Sequence, residues 1–180
     1  MKKFATISNF IYLDAFAHHA YFASIVAIPL AILGITSGIY HYLYAWSHVG
    51  LSLDRKKLKL YQNLDVASIY LVLGVYPFHL AGGWWALFLI PCLVMAYQKL
   101  RSDQPWDSHV LIPIVAVAVF AVAFMERETY IVLSALGAMV AALIVSKIGD
   151  YYLDKGHHEK YDRFHADWHH YSGIAFIIIV

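Results

Sequence analysis

The sequence predicts an all-α fold: a single integral-membrane domain, residues 1–180, built as a polytopic bundle of seven transmembrane helices. Composition is the first reason, because 61% of the 180 residues are hydrophobic and only 14% are charged. Soluble domains average about 45–50% apolar and about 25% charged residues. The second reason is that the apolar residues form continuous runs such as Val110–Phe124, whereas membrane β-strands alternate over roughly 10 residues. Helices satisfy their own backbone hydrogen bonds in lipid.

Six apolar runs are separated by turn-forming residues. The turns predicted between them are a tight turn at Ala81–Gly83, a loop at Asp103–Pro105 and a short charged hairpin at Met125–Thr129. Several runs are shorter than the roughly 20 residues of a standard span, which indicates a thin bilayer or shielded helix ends. The predicted spans are Tyr21–Trp46, Asp65–Leu80, Trp84–Tyr97, Val110–Met125, Tyr130–Ser146 and His165–Val180.

A seventh helix is predicted at the N-terminus, over Phe4–Ala17. One helix from Phe4 to Trp46 would be about 64 Å long at 1.5 Å per residue, which is too long for a single span. Two helices joined by a sharp turn near Asp14–His19 fit the length.

The basic residues predict the orientation of the chain. Of the 13 Lys and Arg residues, all but Arg127 fall on one side when seven spans alternate. Basic residues accumulate on the cytoplasmic side, so the N-terminus is predicted inside and the C-terminus outside. The formal net charge of +1 gives no basic face for nucleic acid, and the single Cys92 cannot form an internal disulfide. The residues on the predicted cytoplasmic side are Lys2, Lys3, Arg55, Lys56, Lys57, Lys59, Lys99, Arg101, Lys147, Lys155, Lys160 and Arg163.

The last helix carries a histidine pair with metal-binding spacing. His165 and His169 are four residues apart, so a helix stacks them on one face, about 6 Å apart along the axis. Two imidazoles at this spacing can hold one metal ion. His170 points about 100° away and is the weaker candidate.

Further polar residues are predicted at the same depth of the bundle. Ser37 and His41 share a face near the cytoplasmic end of the second helix, and Asp65 opens the third helix on the same side. An ionisable residue inside a membrane span is costly and usually has a partner. We therefore expect these residues to meet His165 and His169 in the cytoplasmic leaflet.

Each of these residues also has a purely structural interpretation. Histidine at a membrane interface commonly acts as an amphipathic anchor, Ser37 is a small residue suited to helix packing, and Asp65 at a helix start would be an N-cap. His48 shares a face with His41 and is a reserve ligand. The remaining histidines are interpreted as loop, turn or interfacial residues: His18, His19, His79, His109, His157 and His158.

The ordered set S-x-x-x-H, then Asp, then H-x-x-x-H resembles the CREST superfamily, over nearly the whole chain. That group includes alkaline ceramidases and the progestin/adiponectin-receptor and haemolysin-like proteins. The segment S-G-I-Y-H at Ser37–His41 resembles the receptor and haemolysin branch, and T-I-S-N-F-I at Thr6–Ile11 resembles the first helix of alkaline ceramidases. Leu33 stands where the receptor branch tends to have Glu, and the acidic N-terminal stretch of eukaryotic ceramidases, which would hold calcium, is absent.

The resemblance implies a Zn²⁺ ion held by His41, His165 and His169 in a seven-helix bundle, with Ser37 and Asp65 as catalytic residues. Three imidazoles leave one tetrahedral position open, which is typical of catalytic zinc. The expected function is therefore hydrolysis of a lipid amide, ceramide-like, with the membrane lipid arriving laterally. Three alternatives remain open: a non-enzymatic zinc-bearing receptor or scaffold, a bis-histidine haem protein, and a di-iron lipid hydroxylase. The oligomeric state also remains open.

Overall fold

The computed structural model describes residues 10–21, 25–47, 55–101 and 108–179. Within these ranges the backbone forms seven α-helices and one short 3-10 helix, and no strand is present. The all-α prediction is therefore confirmed. The helices are α1 (Phe10–Tyr21), α2 (Ala27–Ser47), α3 (Arg55–Ala81), α4 (Leu89–Arg101), α5 (Ser108–Glu126), α6 (Thr129–Asp154) and α7 (His158–Ile178), and the 3-10 helix, Gly83–Phe88, directly precedes α4.

Several helices extend beyond the apolar runs that predicted them. α3 begins at Arg55, and α7 begins at His158, so both start in polar sequence. Backbone hydrogen bonds hold a helix together whatever its side chains are, and hydrophobicity marks only the part that lipid can cover. Asp65 consequently lies nearly three turns inside α3. The prediction that it opens the helix is wrong, and its interpretation as an N-cap fails with it.

The N-terminal helix exists, but its turn was predicted in the wrong place. Asp14–His19 is helical, because α1 continues to Tyr21, and the described turn before α2 is at residues 25 and 26. Asp14 is exposed on the side of α1, so its charge does not require the backbone to leave the helix. Residues 4–9 of the predicted span lie outside the described part of the chain.

Two of the predicted turns are present. Gly82 and Gly83 have φ values of 67° and 51°, a backbone conformation that glycine adopts without steric cost. Arg127 and Glu128 separate α5 from α6. The loop predicted at Asp103–Pro105 falls outside the described residues.

α3 is at the centre of the packing. It contacts α2, α4 and α5, and its Tyr70, Val72 and Tyr76 are almost completely buried. α7 packs against α6 and α1, while α1 also packs against α2. The phenol of Tyr76 donates a hydrogen bond of 2.7 Å to the carbonyl of Phe176, which ties α3 to the far half of α7. These contacts set α2 and α7 on either side of α1.

Four segments within the described residues are long and apolar enough to cross a membrane: Ala27–Tyr44, Lys56–Ala81, Gly83–Arg101 and Thr129–Asp154. Their outer faces carry exposed apolar side chains, among them Ile28, Leu93 and Leu143. Large exposed apolar surfaces suit contact with lipid. The chain therefore has the character of a helical membrane protein, and spans for α1, α5 and α7 remain predictions.

Candidate metal centre

Three histidine side chains from two helices converge on one point. The Nε2 atom of His41, on α2, lies 3.0 Å from Nε2 of His169 and 3.3 Å from Nε2 of His165 on α7. Potential ligand atoms of all three lie within 4.8 Å of one another. His41 and His169 are buried, and His165 is half-buried. This group can hold a metal ion.

Helix geometry accounts for the convergence. His165 and His169 are one turn apart on the same face of α7, and their ring centroids are 4.8 Å apart. His41 lies less than two turns before the end of α2, while His165 lies about two turns after the start of α7. Because the two helices present opposite ends to the same side of the bundle, the three rings reach one depth.

His170 is separate from this group, as predicted. Its side chain is exposed, and its Nδ1–H donates a hydrogen bond of 3.0 Å to the carbonyl of Ala166 on its own helix. The next residue along a helix is rotated by about 100°. His170 therefore supplies a matched comparison for His169.

Ser37 and Asp65 form a buried pair beside the histidines. The hydroxyl of Ser37 hydrogen-bonds the carboxylate of Asp65, and both side chains are buried. Ser37 lies one turn before His41 on the same face of α2. The carboxylate of Asp65 also lies within electrostatic range of the phenols of Tyr12 and Tyr40. A carboxylate in this position has a specific partner, as burial of a charge requires.

A second hydroxyl contact fixes the same two helices. Thr36 Oγ1 and Ser68 Oγ are 2.9 Å apart across the interface of α2 and α3. The Ser68 hydroxyl also lies 2.7 Å from the backbone carbonyl of Asp65. Together with the Ser37–Asp65 hydrogen bond, this contact sets how α3 is rotated toward α2.

Sequence reasoning missed two residues whose hydroxyl groups lie within hydrogen-bonding distance of His169. The phenol oxygen of Tyr12, on α1, lies 3.1 Å from Nδ1 of His169 and 2.9 Å from Oγ of Ser172. Ser172 had a detectable signal, since it follows His169 by three residues and therefore shares its helix face. Tyr12 had none, because the sequence of the first helix does not show which side of it faces α7.

The other histidines take no part in the cluster where the structure describes them. His79 is half-buried near Tyr76, at 6.4 Å between ring centroids. His157 and His158 are exposed at the turn between α6 and α7. The side chains of His18, His19, His48 and His109 lie outside the described part of the chain, and the reserve role of His48 stays untested.

The chain was compared with protein-family models and with curated proteins. No protein-family model matches the chain, and no curated protein is significantly similar to it.

Proposed function

We propose that the chain is a membrane-embedded, zinc-dependent hydrolase that cleaves a ceramide-like lipid amide. One observation carries the proposal: three histidine Nε2 atoms converge beside a buried Ser37–Asp65 pair. The resemblance to the CREST superfamily, and to alkaline ceramidases within it, supports the choice of metal and substrate.

The donor set fits zinc. Neutral imidazole nitrogens are ordinary Zn²⁺ ligands, and catalytic zinc sites use three protein ligands with one position left open. His41, His165 and His169 would hold the ion. When bound, zinc polarises carbonyl oxygens and activates water at neutral pH.

The neighbouring residues are suited to proton transfer and orientation. We assign Asp65 as the group that accepts the proton of the attacking water and returns it to the amine leaving group. Ser37 holds the Asp65 carboxylate through its hydrogen bond. Because this pair is buried next to His41, the carboxylate is kept from bulk water at the place where a proton must move.

The surroundings suit an amphiphilic substrate that arrives from the bilayer. Gly149 of α6 packs against Phe164 and Tyr161 of α7, so this part of α6 lies at the depth of His165. An open hollow of about 490 Å³ follows the same stretch of α6 and is almost entirely apolar. The hollow offers the acyl chain of a lipid an apolar surface on α6. The lining residues are Leu143, Ile144, Lys147, Ile148, Tyr151 and Tyr152.

We place this site in the cytoplasmic half of the membrane. The helix ends nearest to it are the end of α2, the start of α3 and the start of α7. The starts of α3 and α7, with the end of α6, carry basic residues such as Lys56, Lys147 and Lys160. The positive-inside tendency assigns that side to the cytoplasm.

The ring geometry favours a single ion over haem. Two axial histidines of a haem must lie on opposite faces of a macrocycle. Here Nε2 of His41 is 3.0 Å from Nε2 of His169, and the ring of His41 also packs on that of His165, with centroids 4.7 Å apart. These rings leave no slot for a porphyrin between them.

Turnover and zinc content measured on the same preparations test the proposal. The substrate is a ceramide with a fluorescent acyl chain in mixed micelles, and the variant is Asp65→Asn. We expect zinc to be retained, because Asn preserves the shape and a hydrogen-bonding oxygen for Ser37. Turnover should fall by roughly 10²-fold, the scale of general acid–base catalysis.

Asp154→Asn is the control, since Asp154 is exposed at the end of α6 and should leave turnover unchanged. Wild-type activity in Asp65→Asn would refute the catalytic role of Asp65. Stoichiometric zinc without turnover of any lipid amide or ester by the wild-type protein would favour a receptor or scaffold.

A further inference from the structure

We propose that Tyr12 and Ser172 are positioning residues that hold His169 in the tautomer protonated at Nδ1. The lone pair of Nε2 is then directed into the histidine cluster. This inference rests on the proposed metal centre, and it assigns a role to α1.

The side chains of Tyr12, His169 and Ser172 form a hydrogen-bonded chain that links α1 to α7. Tyr12 OH is 3.1 Å from His169 Nδ1 and 2.9 Å from Ser172 Oγ. Their exposed fractions are 3% for Tyr12, 1% for His169 and 5% for Ser172. Because water has almost no access, each proton in the chain must be placed on a protein atom.

The contacts of Ser172 favour one direction for these hydrogen bonds. The Ser172 hydroxyl lies 2.9 Å from the carbonyl of Trp168 and 3.1 Å from that of His169. Carbonyls only accept, and with two of them in reach we assign the single hydroxyl proton of Ser172 to the backbone. The oxygen of Ser172 then accepts a hydrogen bond from the phenol O–H of Tyr12. Because that proton is already donated, the phenol oxygen accepts a hydrogen bond from the Nδ1–H of His169.

This direction determines which nitrogen of His169 can bind metal. A neutral imidazole carries one N–H, so protonation at Nδ1 leaves the lone pair on Nε2. That atom is the one 3.0 Å from Nε2 of His41. Metal-binding histidines generally donate their other N–H to a neighbour, and loss of that partner typically weakens metal affinity 10–100-fold.

Close helix contacts on both sides of Tyr12 keep its phenol in place. A Cβ on Gly173 would lie 2.6 Å from Ile11, and a Cβ on Gly34 would lie 2.9 Å from Leu13. The residues before and after Tyr12 are thus seated against glycines of α7 and α2. α1 is fixed in the gap between the two helices that carry the histidines.

Zinc affinity separates this role from general packing. We would measure binding of Zn²⁺ alone to the purified full chain, by competition with a chelator, for Tyr12→Phe and Tyr76→Phe. Tyr76 is the matched control, since its buried phenol also bonds α7, but at the carbonyl of Phe176. We expect affinity to fall 10–100-fold for Tyr12→Phe and to stay unchanged for Tyr76→Phe.

Ser172→Ala gives a second variant that keeps the phenol. Without its acceptor, Tyr12 is free to donate to Nδ1 and to favour the wrong tautomer, so zinc affinity should again fall. The double variant should bind no more weakly than Tyr12→Phe alone, because both residues act through the same chain. Additive losses would overturn the proposed direction.

The tautomer of His169 can also be measured directly in the metal-free protein. Nitrogen-15 NMR of metal-free, histidine-labelled protein, assigned against His169→Gln, should show His169 protonated at Nδ1 in the wild type and a mixture in Tyr12→Phe. Wild-type protonation at Nε2 overturns the inference. Tight zinc binding by the wild type with unchanged affinity in Tyr12→Phe and in Ser172→Ala also overturns it. A wild-type protein that binds no zinc contradicts the proposed function instead, and the NMR result still decides the tautomer.

Discussion

At the residue scale, Ser37 joins the two chemical parts of the site. Its hydroxyl hydrogen-bonds Asp65, and its position one turn before His41 ties that carboxylate to the helix that carries this histidine. Its burial is complete, so water cannot replace the hydroxyl if it is removed.

We predict that Ser37→Ala lowers lipid-amide turnover by about tenfold and leaves the zinc content unchanged. A single hydrogen bond contributes about 0.5–1.5 kcal/mol, and 1.36 kcal/mol corresponds to a factor of ten in rate. Turnover and zinc should be measured on one preparation. Ser134→Ala is the control, because Ser134 is exposed on α6 and its hydroxyl donates to the carbonyl of Tyr130 on the same helix. Loss of zinc in Ser37→Ala would place Ser37 in support of the ligands instead.

Residue identities could be predicted where helix periodicity alone determined the geometry. The spacing of His165 and His169, and that of Ser37 and His41, places each pair on one face without any knowledge of tertiary structure. Tyr12 could not be found this way, because its contact with His169 depends on the rotation of α1 against α7. The capping interpretation of Asp65 failed because hydrophobicity does not mark where a helix begins.

At the element scale, α1 packs between α2 and α7 and contacts both helices. Its approach to α7 is possible only because residue 173 lacks a side chain, since any Cβ there would overlap Ile11. The predicted first span therefore overlaps the helix that packs between the two histidine-bearing helices.

We predict that Gly173→Ala destabilises the protein, although alanine favours helix formation. Overpacking of a buried contact typically costs about 1–3 kcal/mol, which exceeds the gain in helix propensity of about 1 kcal/mol. The thermal midpoint in detergent should fall. A second change, Ile11→Ala, should recover part of the loss, because it removes the two Ile11 atoms at 2.6 Å and 2.7 Å.

Gly137→Ala is the matched control within α6. A Cβ at Gly137 meets nothing within 4 Å, so this substitution should leave the thermal midpoint unchanged or raise it. Equal midpoints for Gly173→Ala and the wild type would show that α1 is not closely packed against α7.

At the scale of the whole molecule, the bundle combines an apolar exterior with a polar cluster at one end. The described residues contain four helices long and apolar enough to cross a membrane, while the histidines and Asp65 lie near helix ends that carry most of the basic residues. This uneven distribution of basic residues predicts which end of the bundle faces the cytoplasm.

We predict that the segments before α3 and between α6 and α7 are cytoplasmic, as the distribution of Lys and Arg requires. In a Cys92→Ser background, single cysteines at Lys56 and Lys155 should resist an impermeant thiol reagent in intact cells. A cysteine at Glu128, in the turn between α5 and α6, should react. Labelling of the cysteine at position 56 from outside the cell would show that the orientation is the opposite one and that the site lies in the other leaflet.

The central claim is that His41, His165 and His169 bind one zinc ion, and elemental analysis of the purified protein tests it most directly. After incubation with Zn²⁺ and removal of the excess, the wild-type protein should retain about one zinc per chain. His41→Ala, His165→Ala and His169→Ala should each lose most of it, because each removes one of three converging ligands. His170→Ala should retain it, since His170 is exposed and points away from the cluster. Full zinc retention in His169→Ala, or no zinc in the wild-type protein, would contradict the assignment.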